Sequence, residues 1–373
     1  MTSTRIRLPV PPASSVVEGA GESPMPAAPQ ASRHSARARG GLRITTYVAA
    51  AAALPASMLL AVGIGSTGIG IVDVWQTVVA HLAGTQSPLS PLRDGIVWDI
   101  RLTRVLTAAA VGAALAVSGA VMQALTRNVL ADPYLLGLSS GASVGAVAAL
   151  TLGVAIMPTV AAFLGALAAL TLTLLLARSL GPTSPSRTIL AGITVSAFGV
   201  AVTSFLIFWN VQGDSYREVL NWLMGSLAGS GWTTVAVSWA VTAVIGIPLI
   251  LGARVLDAFV FGDTAAASLG IHVTRARWIF LAAVALLTGV AVAVSGAIGF
   301  IGLVLPNAAR LLAGFQHRLI LPLCALTGAT FMIWVDTAAR TLFAPRELPV
   351  GIMTALVGAP IFALVLWRHR SRS

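Results

Sequence analysis

The residues that could carry chemistry in this chain are few, and their types exclude more than they offer. All 23 basic residues are arginine, and lysine is absent. A nucleotide-binding P-loop needs a lysine that reaches the β- and γ-phosphates, so this chain is no P-loop ATPase by itself. Cys324 is the single cysteine, which excludes a disulfide framework and a cysteine-ligated metal. It falls in an apolar run, where a buried, inert thiol is expected. The histidines, His34, His81, His272, His317 and His369, are expected in tails and loops and show no metal-ligand spacing. No carboxylate falls near the middle of an apolar segment. Asp336 and Arg340 sit toward one end of such a segment, and Arg310 toward the end of another. A membrane-embedded hydrolase would need clustered carboxylates or histidines. A proton- or sodium-coupled carrier usually keeps ionisable groups buried on its pathway. Neither pattern is present, so no catalysis and no bound cofactor are expected of this chain.

The elements that must position these residues are membrane helices. The chain has 373 residues, 57% of them hydrophobic and 9% charged, with mean hydropathy +0.90. Soluble domains are roughly 45–50% apolar and about 25% charged, so these charges could not cover a water-facing surface. Residues 1–43 differ from the rest. They are rich in Pro, Ala and Ser, carry six arginines and lack hydrophobic periodicity; a disordered, cytoplasmic tail is expected. Residues 44–368 read as an all-α integral membrane domain of ten helices, over approximately 45–65, 103–125, 135–155, 157–178, 188–209, 233–253, 277–297, 300–314, 319–340 and 349–367. The third and eighth are short.

With the N-terminus inside, 17 arginines fall on the inner side and 6 on the outer. The positive-inside rule asks for such a bias, and it places both termini in the cytoplasm. Gly112–Ala120 reads GAALAVSGA and Gly289–Ala297 reads GVAVAVSGA, on helices running in opposite directions. A weak inverted repeat of this kind is a transporter device. Small residues four apart, as at Gly137, Gly141 and Gly145, let helix backbones approach closely.

Six blocks rise above packing. Arg101-Leu-Thr-Arg104 leads into GAALAVSGAVMQALTRNVLADPYLLGLSSGA, ending at Ala142. Then come Leu190-Ala-Gly-Ile193, Trp222-Leu-Met-Gly-Ser226, FGDTAAASLG over Phe261–Gly270, SGAIGFIGLVLP over Ser295–Pro306, and ELPVGIMTALVGAP over Glu347–Pro360. In this order and spacing the chain resembles the FecCD family, the permease subunits of ABC importers for iron–siderophores, haem and cobalamin. The resemblance covers roughly residues 95–366.

The resemblance implies ten helices per subunit, a dimer with a second copy or a sister permease, and a separate ABC ATPase subunit. It also implies an extracytoplasmic substrate-binding protein, a location in a bacterial plasma membrane, and no nucleic-acid partner. The segment around 258–272 looks like the family's coupling region, with Gly262, Asp263, Ala266, Ser268, Leu269 and Gly270 docking into a cleft of the ATPase. Arg101 and Arg104 match the family's paired outer arginines and Arg340 its outer-end arginine, which are expected to meet acidic groups of the binding protein. Pairing instead with Asp94, Asp99, Asp336 or Glu347 is the plainer reading. Two positions depart from the family: Val129 follows Asn128 where proline is common, and Asn307 follows Pro306 where histidine is common. A ferric siderophore is the expected cargo, with haem or cobalamin as alternatives and a secondary carrier as the rival from another class.

Overall fold

The computed structural model describes residues 31–65, 68–153, 155–181, 184–210 and 215–370. The chain divides into two units, Met1–Leu42 and Arg43–Ser373. The tail expected over 1–43 lies outside the described residues as far as residue 30. From Ala31 the backbone is helical, earlier than expected; residues 31–43 are rich in Ala and Arg, both strong helix formers.

The described elements are all helical, with no strand among the described residues. In chain order they are α1 (Ala31–Gly63), α2 (Ile71–Ala83), α3 (Pro91–Gly95), a π-helical segment (Ile96–Leu102), α4 (Thr103–Thr126) and a 3₁₀ turn (Pro133–Leu136). They continue with α5 (Leu138–Thr151), α6 (Pro158–Ser179), α7 (Pro185–Asn210), α8 (Ser215–Leu223), α9 (Trp232–Leu251) and α10 (Ala253–Val260). The last are α11 (Asp263–Ser268), α12 (Val273–Ser295), α13 (Ile301–Ala313), α14 (His317–Thr341) and α15 (Val350–Arg370).

Among the described residues, seven helical stretches are long and apolar enough to cross a membrane: Ile44–Gly63, Pro91–Thr126, α6, Ser186–Asn210, α9, α12 and α14. Helices also stand at the other three expected positions. However, α5 has 14 residues, α13 has 13, and the apolar part of α15 is Val350–Leu364. At 1.5 Å per residue, α13 reaches about 20 Å, short of a hydrocarbon core of about 30 Å. The segment before α4 is longer than expected. Pro91 follows Ser90 at the first helical position, and the π-helical stretch carries the run unbroken into α4.

The core is built around α4. Nearly every residue from Thr103 to Leu125 is buried, against α14, α9, α12 and α13. Glycines make this approach possible. A Cβ on Gly112 would overlap the carbonyl oxygen of Gly328 on α14, and one on Gly119 the carbonyl oxygen of Gly302 on α13. Both glycines belong to the first copy of the internal echo. The Gly141–Gly165 crossing joins α5 to α6 in the same way. On the outside, α7 exposes Leu190, Ile193, Phe198, Phe205, Phe208 and Trp209, a surface that suits apolar surroundings rather than water.

Adding one methyl at Gly119 forces two backbones apart, and overpacking of a core costs about 1–3 kcal/mol. Gly119→Ala is expected to lower the melting temperature of the detergent-solubilised protein, followed by thermal size-exclusion. Gly229→Ala, where a Cβ meets nothing within 4 Å, is expected to leave it unchanged.

Candidate functional site

The segment expected at 258–272 is a compact module. Helix α10 ends at Val260. Gly262, with φ of +98°, makes a turn that side-chain-bearing residues rarely adopt. Helix α11 then runs from Asp263 to Ser268 and stops at Gly270, with φ of +80°. Ala266 is buried and fixes α11 to the body, whereas Phe261 and Leu269 are 79% and 69% exposed. Two large apolar side chains thus stand exposed on either side of a short helix, the kind of patch that marks an interaction surface. Ser268 turns its hydroxyl back to the Ala265 carbonyl at 2.9 Å. Asp263 does not cap α11. Its carboxylate accepts from Arg277 Nη2 of α12 at 2.7 Å, and Arg277 lies over the Phe259 ring, 5.5 Å from its centroid. The structure therefore assembles all six expected coupling residues into one unit and adds Arg277, Phe259 and Asp257 to it.

Of the three arginines expected to face a binding protein, two are internal and Arg340 is half-buried. Arg101 and Arg104 are only 6% and 7% exposed. Arg104 Nε donates to both oxygens of Asp336 at 3.0 Å, and Nη1 donates to Glu347 Oε2 at 2.8 Å. Arg101 Nη1 donates to the Val62 carbonyl at 3.0 Å, and Arg340 Nη2 to the Ala61 carbonyl. These two carbonyls end α1, where helices leave acceptors unmatched. Arg101 and Arg104 bond within the fold, fastening α1, α4, α14 and the segment of chain before α15. The plainer reading holds for Asp336 and Glu347 but not for Asp94, which bonds His81 at 2.9 Å, or Asp99, which accepts from Trp232. Arg93, Arg217 and Arg346 are the exposed arginines of the expected outer side among the described residues.

A second gathering was not anticipated. Three of the quoted blocks meet where helices are interrupted. Ser226 N–H donates to the Ser295 carbonyl at 2.9 Å, Val350 N–H to the Gly225 carbonyl at 3.0 Å, and Gly351 N–H to the Met224 carbonyl at 3.1 Å. Between α12 and α13, the Tyr134 hydroxyl donates to the Ile298 carbonyl and accepts from its N–H, at 2.9 and 3.2 Å. Next to this junction lies a cavity of about 340 Å³ lined by Glu218, Asn221, Trp222, Ser226, Thr159 and Thr234, among others. Burial pushes the Asp132 carboxyl, at the head of the Tyr134 turn, up to about 6, against the pull of the hydrogen bond it accepts from Tyr134 N–H.

The two departures also meet. Asn307 Nδ2 donates to the carbonyls of Val129 and Leu303, and its oxygen accepts from Arg310, which also reaches Gln123 Oε1 at 2.6 Å. Cys324 is buried, as expected. Among the described residues no group of His, Cys, Asp and Glu could hold a metal. His81 and His317, expected in loops, lie in α2 and at the first position of α14.

Closely packed helices, seven of them among the described residues long and apolar enough to cross a membrane, define an integral membrane protein. The profile of the FecCD transport family matches residues 53–368, and the chain belongs to that family, as the permease subunit of an ABC importer. It is 41% identical over 339 residues to an uncharacterised ABC transporter permease protein, YvrB, of Bacillus subtilis, covering 88% of this chain and 95% of that one. It is 42% identical over 290 residues to a cobalamin import system permease protein, BtuC, of Halobacterium salinarum, covering 77% and 78%. Among solved structures, it is similar to a metal-chelate type ABC transporter in an inward-facing conformation, with TM-score 0.75 and 29% identity over 86% of this chain and 98% of that one.

Breaking a buried ion pair by removing one partner costs about 3–5 kcal/mol, whereas an exposed pair is worth about 0–1 kcal/mol. Asp336 is 1% exposed and the Glu347 side chain 51%. Asp336→Ala is therefore expected to destabilise the solubilised protein severely, and Glu347→Gln barely, in the same thermal denaturation series. Equal effects would show that Arg104 is held by both carboxylates alike.

Proposed function

We propose that this chain forms the membrane pathway of an ATP-driven importer of a large metal chelate, with cobalamin as the first reading. The supporting observation is the coupling module: two exposed apolar side chains on a short helix, fastened by an ion pair to a membrane helix. Such an element suits a separate ATPase subunit that moves it, which agrees with a chain lacking any P-loop lysine. The relatives named for cobalamin import, at comparable identity over most of their length, favour a corrinoid. A ferric siderophore, expected from the sequence, is the second reading, and the metal-chelate type neighbour favours it. Haem stands behind both.

In this reading the helices cross ten times with both termini in the cytoplasm, the three short ones completing their crossings with irregular backbone. The protein resides in a bacterial plasma membrane and pairs with a second permease copy or a sister permease around a central pathway. It binds no cofactor of its own. Gly262, Asp263, Ala266, Ser268, Leu269 and Gly270 seat in the ATPase. The extracytoplasmic binding protein docks on the outer face through Arg93, Arg217 and Arg346, while Arg101, Arg104 and Arg340 hold that face in shape from within. ATP binding shifts the population between two packings of the same helices.

Uptake tests this directly. Cells with and without the gene, each also carrying an ATPase-dead partner, are given labelled cobalamin, ferric siderophore or haem. Cobalamin uptake is expected to fall to background when either protein is disabled. Uptake that survives the dead ATPase would overturn the reading in favour of a secondary carrier. Loss of siderophore uptake alone would move the cargo to the second reading.

A further inference from the structure

The coupling module is joined to the membrane body by two carboxylate contacts, a histidine–carboxylate hydrogen bond and an arginine–carboxylate ion pair. Asp257 Oδ1, on α10, accepts from the backbone N–H of His317 at 2.8 Å and lies 2.7 Å from its Nδ1. Asp263 Oδ1, on α11, accepts from Arg277 Nη2 at 2.7 Å. In each pair the base belongs to the first turns of a long membrane helix and is buried, with 4% and 6% of its side chain exposed. The carboxylate belongs to the module and is 32% and 44% exposed. Arg277 also lies over Phe259, a buried residue of α10, so one guanidinium grips both short helices. Asp257 in turn does for α14 what its own flanking residue does not. Gln316 makes no side-chain cap, and the carboxylate from α10 accepts the orphan N–H instead, where negative charge is favoured by the helix dipole.

We propose that Arg277 and His317 are positioning residues that transmit the displacement of α10–α11 to α12 and α14. This rests on the coupling role given to the module above. A module joined only by chain would pivot at Gly262 and Gly270, both at positive φ. The two pairs fall on either side of Gly262, one on α10 and one on α11, and so remove that freedom. Charge-assisted bonds of this length are short and directional. A push on Phe261 or Leu269 therefore reaches the starts of α12 and α14 together. Helix α14 carries Asp336 and Arg340 near its far end, so one of the two driven helices ends in the outer arginine cluster.

The test uses the full transporter, this chain with its ATPase and binding protein, reconstituted in liposomes. The variants are Arg277→Gln, Arg277→Lys and His317→Gln. Removing the buried base leaves a carboxylate that water can reach, which spares the fold, whereas removing the carboxylate would strand a buried cation. Three quantities are read: co-purification of the ATPase subunit, ATP hydrolysis, and labelled cyanocobalamin (or ferric siderophore, if the wild type imports that) carried per ATP. Arg277→Gln and His317→Gln are expected to keep the ATPase subunit and to hydrolyse ATP within about twofold of wild type. Cargo carried per ATP is expected to fall about tenfold, within the usual range for residues that modulate coupling. Arg277→Lys is expected to recover most of that loss. Unchanged cargo per ATP in both Gln variants would overturn the proposal, as would a lysine no better than glutamine. Loss of the ATPase subunit from the complex would overturn it too, by making the pairs part of the docking surface. A wild type without ATP-driven uptake would instead remove the coupling role itself.

Discussion

Hydrocarbon offers no hydrogen-bond partners, so every interruption of a spanning helix has to be closed by the protein's own groups. This constraint organises the centre of the molecule. The breaks around 224–226, 295–300 and 349–351 are sewn to one another by backbone bonds, and the Tyr134 hydroxyl serves both polar groups of Ile298. A buried polar group left unmatched there would cost about 1–3 kcal/mol. The glycines follow from this stitching. Gly225 and Gly296 take positive φ, and a Cβ on Gly296 or Gly351 would overlap a carbonyl oxygen of the neighbouring break. The short length of α13 follows too, since its missing turns are the irregular backbone before it. Interrupted helices of this sort can change their packing without exposing backbone to lipid, provided the stitches move together.

Charge obeys the same economy. With 9% charged residues, few ionisable groups are available, and several of the internal ones face a partner. Arg104 faces Asp336, Arg277 faces Asp263, and Arg310 is held by the neutral amides of Gln123 and Asn307. Apart from the Arg310–Asn307 bond within α13, these bonds join separate helices and so fix a position between elements.

Much of the helical architecture was legible because apolar runs and their polar breaks report membrane helices directly. All ten expected positions hold helices, and α5 and α13 are short, as the lengths of their apolar runs had indicated. The turn and short helix over 262–270 were legible too, since Gly262, Asp263 and Gly270 mark a turn, a helix start and a helix stop. What escaped was whatever depends on a partner distant in sequence. Nothing around Arg104 reveals that Asp336, 232 residues later, lies 3.0 Å from it. An arginine at the end of an apolar run reads as interfacial whether it points outward or inward. The π-helical stretch and α2 were missed for a different reason. Asp99 and Arg101 break the apolar run without breaking the helix, and 13 residues of α2 fall below the length that marks a crossing.

The two departures from the family, which looked independent in the sequence, are one structural unit. Asn307 uses both its amide hydrogens and its oxygen: it donates to the carbonyls of Val129 and Leu303 and accepts from Arg310. A neutral histidine has one donor and one acceptor on its ring, and could not meet all three at once. Asn307 thus supplies a partner for the backbone carbonyl at 129, which any residue at that position would present. The cost is the loss of a group able to titrate near neutral pH. Arg310 then keeps its surroundings across the whole working range of a cell. In the orientation proposed here this unit lies at the inner end of the bundle, away from the face where cargo enters. The departures therefore bear on how α13 is held against α4 and the turn that follows it.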